Sequence, residues 1–263
     1  MSNRLRMVEP NVVYDVVINT IDRQFLFKPN SHPNDPLLHM DCQLDAFDPK
    51  NDLTPIPSIL NIIGFALARA MELAPITLHY AEQNTTHLHL GTTADKNTIG
   101  NISRFFQIAK SIMAVQINAL YNRTGTVFSG RYNTITCVDD ESAEYRLLYA
   151  ITNVVKDGLI ENQNGREFLS AYPTLAKGEK LKFWKIDWAT YWKKGGPRVK
   201  SHRLKDYIQW KELDFEFMAH FLNMTESQRQ TRVRKQVNEK ISNIKNTMKQ
   251  EGKTVMGLRK LQV

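Results

Sequence analysis

The tightest constraint in this chain is a pair of short β-type runs, Ile76 to Glu82 and His87 to Thr92, joined by the polar turn Gln83-Asn84-Thr85. Two such runs so close together read as an antiparallel hairpin. The second run carries His87-Leu88-His89. Residues i and i+2 of a strand project from one face, so both imidazoles point the same way. Two neutral imidazoles on one face are half a site for a divalent metal. Taken alone, such a pair is more often two ordinary strand histidines, so the other half has to come from elsewhere in the chain.

The elements around the hairpin alternate in type. Asn11 to Ile21 is β-branched and reads as a strand, with Gln24 to Lys28 extending the sheet. Pro29 to Pro36 is a loop. A helix from Pro57 to about Leu73 follows, apolar at Ile59, Ile62, Ile63, Ala66 and Leu67, and Ala74-Pro75 ends it. Past the hairpin, Ile102, Phe105, Phe106, Ala109 and Met113 mark a long helix over Thr98 to Leu120. The Gly-punctuated basic stretch Arg123 to Tyr132 leads into a strand, Asn133 to Val138. Asp139 or Asp140 caps a helix that runs to about Lys156, and Gly158 closes it.

Charge divides the chain. Its net charge is +8, but residues 177–263 alone hold fifteen lysines and six arginines against nine acids. That is a surplus of twelve, so the first 176 residues carry −4. The expected organisation is a domain over 1–172 and a basic, mostly helical module over 173–263. A polyanion, most commonly nucleic acid, fits the second part. There Lys182 to Lys194 interleaves aromatics with lysines, and Leu204 to Asn223 and Glu226 to Gln250 read as helices. Trp184, Trp188, Tyr191 and Trp192 read as core of that module, with base stacking as the alternative. The apolar run Ile56 to Ile76 is broken by Arg69, Glu72 and Pro75, which predicts a buried helix and no membrane partner. No apolar leader follows Met1, and Cys42 and Cys137 lie far apart, so a reduced cytoplasmic setting is expected.

The missing half of the site is on the helix from Asp140. Tyr149 and Asn153 stand four apart and share a face. An amide oxygen suits a hard divalent cation, and a phenol is a nucleophile that such a cation can assist. Two imidazoles, one amide oxygen and a tyrosine are the inventory for attack on a phosphodiester. Tyr145 is the rival nucleophile, one turn earlier, and His79 on the neighbouring strand reads as structural.

These stretches resemble the single-tyrosine transposases of the HUH endonuclease superfamily, which include the REP-associated tyrosine transposases. His87-Leu88-His89 is similar to their histidine-hydrophobic-histidine motif, Arg123 to Tyr132 to their Gly/Arg stretch, and Tyr149 to Ile160 to their catalytic helix. Order and spacing match over roughly residues 10–172. The resemblance implies an α/β (α+β) fold, a ferredoxin-like or RRM-like antiparallel sheet flanked by helices. It implies Tyr149 as nucleophile and His87, His89 and Asn153 as ligands of Mg²⁺ or Mn²⁺. It implies cleavage and strand transfer on single-stranded or hairpin DNA through a 5′-phosphotyrosine, in a bacterial cytoplasm at the nucleoid, by a monomer or a homodimer. Lys110, Arg123, Arg131 and Lys156 are the candidate phosphate contacts. Val154, Ala150 and Thr86 depart from residues common in the family, which keeps open a second reading, a domesticated, non-catalytic nucleic-acid-binding regulator. A replication initiator of the same superfamily fits less well, since no P-loop and no second tyrosine in register is present.

Overall fold

The central strand β1 (Tyr14–Asn19) is fully buried on one face and half-buried on the other, and the sheet grows outward from it. The structure, a computed structural model, describes residues 9–29, 57–163, 168–199 and 204–257. The expected loop over Pro29 to Pro36 lies almost wholly outside them, as does Cys42. β1 is flanked by β3 (His87–Thr93) and β4 (Asn133–Thr136), with β2 (Thr77–Gln83) outside β3. The order is β2-β3-β1-β4 and every pairing is antiparallel. Helix α1 (Ile59–Leu73) joins β1 to β2, and α2 (Asn101–Leu120) joins β3 to β4. This is the ferredoxin-like layout of an antiparallel sheet built from two interleaved βαβ units. Gln24 to Lys28 does not extend the sheet. Asp22 and Arg23 take positive φ, and the chain turns away through a 3-10 turn.

Register decides which side chains share a face. Ile18, Leu88 and Leu90 are fully buried on one side, in one core with α1 and α2. Asp15, His87 and His89 alternate with them and face the other way. That second face is covered by α3 (Asp140–Lys156). Asp139 is its N-cap, accepting from Ser142 N at 2.7 Å in a capping box.

The rest of the chain closes over α1, α3 and the free edge of β2. Strands β5 (Leu181–Ile186) and β6 (Ile208–Leu213) pair antiparallel and lie against α1. This gives α1 a second partner besides α2, which is why it is apolar almost all round. Phe183 presses on Gly64, where an added Cβ would come within 2.3 Å of the ring. No helix among the described residues is long and apolar enough to cross a membrane. Short helices α4 (Tyr172–Lys177) and α5 (Trp188–Lys193) flank β5. The long α6 (Glu226–Gln250) packs along α3, burying Val233, Val237 and Ile241 at four-residue spacing. The expected helix over Leu204 to Asn223 is instead a 3-10 turn, β6 and a second 3-10 turn. Pairing with β5 overrides the helix propensity of its Lys, Glu and Leu. Trp184 and Tyr191 are buried, as a core reading expects, but Trp192 stays 60% exposed.

One side chain ties the two halves of the chain together. Asn61, fully buried in α1, donates to Trp184 O at 2.7 Å and accepts from Trp184 N at 2.9 Å. Asn61→Ala strands both backbone groups of Trp184, each costing about 1–3 kcal/mol when buried without a partner. Urea unfolding of the variant is expected to show a stability loss of roughly 2–4 kcal/mol, whereas a loss near zero would mean the bonds contribute nothing.

A candidate metal and nucleophile site on the histidine face

α3 crosses the histidine face so that Asn153 comes down on His87 and Tyr149 on His89. Asn153, 6% exposed, has its Nδ2 3.0 Å from His87 Nε2. The rings of His89 and Tyr149 meet edge to face with centroids 5.7 Å apart, and the two imidazoles are 5.1 Å apart. The end of α3 is held to the hairpin turn, where Asn84 donates to Asp157 Oδ2 at 2.7 Å.

Each imidazole has its Nδ1 engaged, which turns its Nε2 away from the sheet. His89 Nδ1 is 3.3 Å from Asp15 Oδ1, and a carboxylate only accepts, so the proton sits on Nδ1. Asp15 is fully buried, with Arg146 3.9 Å from its other oxygen. His87 Nε2 accepts from Asn153, so its Nδ1 proton goes to Thr86 Oγ1, 3.1 Å away. His87 is held at about 4, chiefly by burial and then by the neighbouring His89 and Arg23. It is therefore neutral at physiological pH, the form a metal ligand requires.

These residues fit a hard divalent cation. Two ligands at right angles, each about 2.1 Å from Mg²⁺, stand about 3.0 Å apart. The Asn153 amide head and His87 Nε2 have that separation. Turning the amide over puts Oδ1 where Nδ2 now donates, at no cost in shape. Asp15 behind His89 is the carboxylate that metal-binding histidines commonly use to fix their tautomer. Among the described residues no three His, Cys, Asp or Glu side chains cluster with metal-holding geometry, so a site on this face would have to draw its third ligand from another side chain, as the Asn153 amide would supply.

The other expected residues divide. Lys156 Nζ lies 5.4 Å above the Tyr149 ring, so it belongs to the site. Arg123 and Lys110 bond into the loop they flank, Arg123 to Thr126 O at 3.1 Å and Lys110 to Gly130 O. That loop runs beside the end of β1, where Ser129 N donates to Asn19 O at 3.1 Å, and Asn19 pairs with His87. Arg131 is exposed on it. Tyr145 is 57% exposed and stacks on Tyr149 at 6.5 Å. His79 is structural, bonded to Glu216 O at 2.8 Å and Thr93 Oγ1 at 2.7 Å. Asp15 was not anticipated. Its signal was a lone carboxylate inside an apolar β-branched run.

Glu82 pairs with His89 across β2 and β3 and accepts from Ala171 N at 2.8 Å. Burial pushes it up to about 8. Between its ordinary value of 4.5 and about 8, the folded chain keeps a proton that the unfolded chain releases, so stability falls as pH rises. His87 works the other way between about 4 and its ordinary 6.5, where the unfolded chain binds the extra proton and stability rises with pH. The two offset up to about pH 6.5, and Glu82 alone acts above it. Urea unfolding is expected to show stability falling by about 2 kcal/mol from pH 6.5 to 8. Glu82→Gln keeps the acceptor for Ala171 and removes that slope. Equal slopes in the two proteins would refute the buried proton.

No family model matches the chain, and no curated protein matches its sequence. Among solved structures it is similar to a REP-associated tyrosine transposase bound to a REP hairpin. That likeness has a TM-score of 0.44 and 13% identity, covering 68% of this chain and 87% of the other.

Proposed function

We propose that the chain is a metal-dependent single-tyrosine enzyme that cuts and rejoins single-stranded or hairpin DNA. The observation that carries this reading is the meeting of four side chains on one sheet face. His87 lies 3.0 Å from Asn153, and His89 lies against Tyr149. Nothing in packing alone calls for two imidazoles with both Nδ1 atoms fixed, an amide and a tyrosine at one spot.

His87, His89 and Asn153 would hold Mg²⁺ or Mn²⁺. Bound there, such an ion polarises the scissile phosphate and offsets the charge that builds on its oxygens. Tyr149 Oη attacks the phosphorus. A P–O bond to Tyr149 forms as the phosphodiester bond to the leaving 3′-oxygen breaks; the Tyr149 hydroxyl gives up its proton to water and the leaving oxygen takes one up, so no net proton is gained or lost. The product is a 5′-phosphotyrosine and a free 3′-hydroxyl. Attack by a 3′-hydroxyl on the phosphotyrosine reverses the exchange and rejoins DNA without an external energy source. His89 and Lys156 orient the Tyr149 ring, His89 through an edge-to-face contact and Lys156 from over its face. Arg123 and Arg131 on the loop beside β1, and Lys110, which bonds into that loop from α2, would contact flanking phosphates.

The test is direct. The full chain is incubated with a labelled single strand and Mn²⁺, and a protein–DNA adduct that survives denaturing gels is expected, with the label mapped by peptide mass to Tyr149. Tight binding with no adduct would return the chain to the regulator reading.

A further inference from the structure

Between α3 and α6 lies an open cavity of about 720 Å³, on the side of α3 that adjoins the tyrosines. Its lining includes Leu148, Lys156, Glu239, Lys240, Glu251 and Lys253. One of these cations is already answered by a carboxylate, and the other lining carboxylate is answered from outside the cavity. Lys253 is 2.7 Å from Glu251, and Glu239 is 4.0 Å from Lys235. Among the described residues no carboxylate pairs with Lys156 or Lys240. Instead each lies over a tyrosine ring, Lys156 5.4 Å from the Tyr149 centroid and Lys240 4.6 Å from the Tyr145 centroid.

The position of Lys240 is fixed by the packing of α6. Arg232 grips Glu144 through two bonds, at 3.0 and 2.8 Å, and Gln236 donates to the same carboxylate at 2.8 Å. Lys240 is the next residue on that stripe, four beyond Gln236, and so it is delivered to Tyr145. Two ammonium groups thus share one cavity mouth beside two stacked tyrosines. Burial and the charge of Lys156 both hold Lys240 below the usual lysine range, so the pair stands at an electrostatic cost. An anion placed between them removes that cost.

We infer that Lys156 and Lys240 form a phosphate-binding subsite at the α3–α6 cavity, which takes a phosphodiester flanking the one that Tyr149 attacks. This rests on the strand-transfer reading for the identity of its ligand. α6 then contributes to substrate binding, beyond its packing on α3. The strand runs from the histidine face past the half-buried Tyr149 and the exposed Tyr145 onto α6.

The experiment measures binding of a fluorescent single-stranded oligonucleotide by the full chain in a Tyr149→Phe background without metal, over a range of salt. Chemistry and the metal are thereby removed from the readout. Lys240→Ala is expected to weaken binding about fivefold and to lower the slope of log K against log salt by about 0.7, the share of one phosphate on a single strand. Lys240→Gln keeps most of the stem that packs on Tyr145 and is expected to show the same loss, which separates charge from packing. Lys235→Ala, on an exposed lysine of the same helix, is the comparison. Unchanged affinity and slope in Lys240→Ala, or an equal loss in Lys235→Ala, would overturn the subsite. Neither result bears on adduct formation by the otherwise native chain, so failure of the subsite and failure of the strand-transfer reading give different patterns.

Discussion

Tyr149→Phe is expected to abolish the covalent protein–DNA adduct, lowering its rate of formation by about a thousandfold or more, as removal of a sole nucleophile does. The substitution deletes one oxygen and leaves the ring. The edge-to-face contact with His89, the stacking on Tyr145 and the Lys156 contact all survive it. Melting temperature and DNA affinity should therefore stay near those of the native chain, and loss of the adduct reports the hydroxyl alone. Tyr145→Phe is the paired control. Tyr145 is more exposed and, among the described residues, has no histidine ring against it, so its variant should form adduct at the native rate. An undiminished adduct in Tyr149→Phe would dismiss Tyr149. If Tyr145→Phe lost it at the same time, the nucleophile would be one turn earlier on α3.

Replacing both histidines is expected to have an effect of similar size. In His87→Ala with His89→Ala, Mn²⁺-dependent cleavage should disappear, since Asn153 alone cannot retain the ion. The metal can also be followed without activity. A ligand present at a hundred times its dissociation constant stabilises a folded chain by about 2.7 kcal/mol. Native protein should melt at a higher temperature in Mn²⁺, and the double variant should not. The variant also leaves the Asp15 carboxylate buried without its imidazole, so a lower melting temperature in the absence of metal is expected. Metal-dependent cleavage that survived the double substitution would remove both histidines from the proposed site.

The part of this arrangement legible in the sequence is the part governed by local periodicity. The hairpin followed from two short runs about a polar turn, and the common facing of His87 and His89 from the two-residue repeat of a strand. The shared face of Tyr149 and Asn153 followed from their spacing on a helix. What brings those faces together is not local. α3 lies over the histidine face because its apolar residues, Ala143, Leu147, Ala150 and Ile151, need the sheet beneath them, and no spacing states which face they choose. The misread segment fails for the same reason. Ile208-Gln209-Trp210-Lys211-Glu212-Leu213 is strand because β5, more than twenty residues earlier, offers it a ladder. Asn61 likewise looks like a polar interruption of an apolar helix until Trp184 arrives against it.

The register between β1 and β3 has a further consequence. His87 and His89 face α3 only because Asn19 lies opposite His87 and Val17 opposite His89. A slip of one residue would drive both imidazoles into the apolar layer beneath and bring Leu88 up to Asn153. Such a misfolded form would retain its helices and strands, and circular dichroism would score it as native. Only a measurement that touches the histidine face, such as metal-induced stabilisation or adduct yield per molecule, would expose it. For preparations of this protein, a readout taken at that face is therefore the sensitive gauge of correct folding.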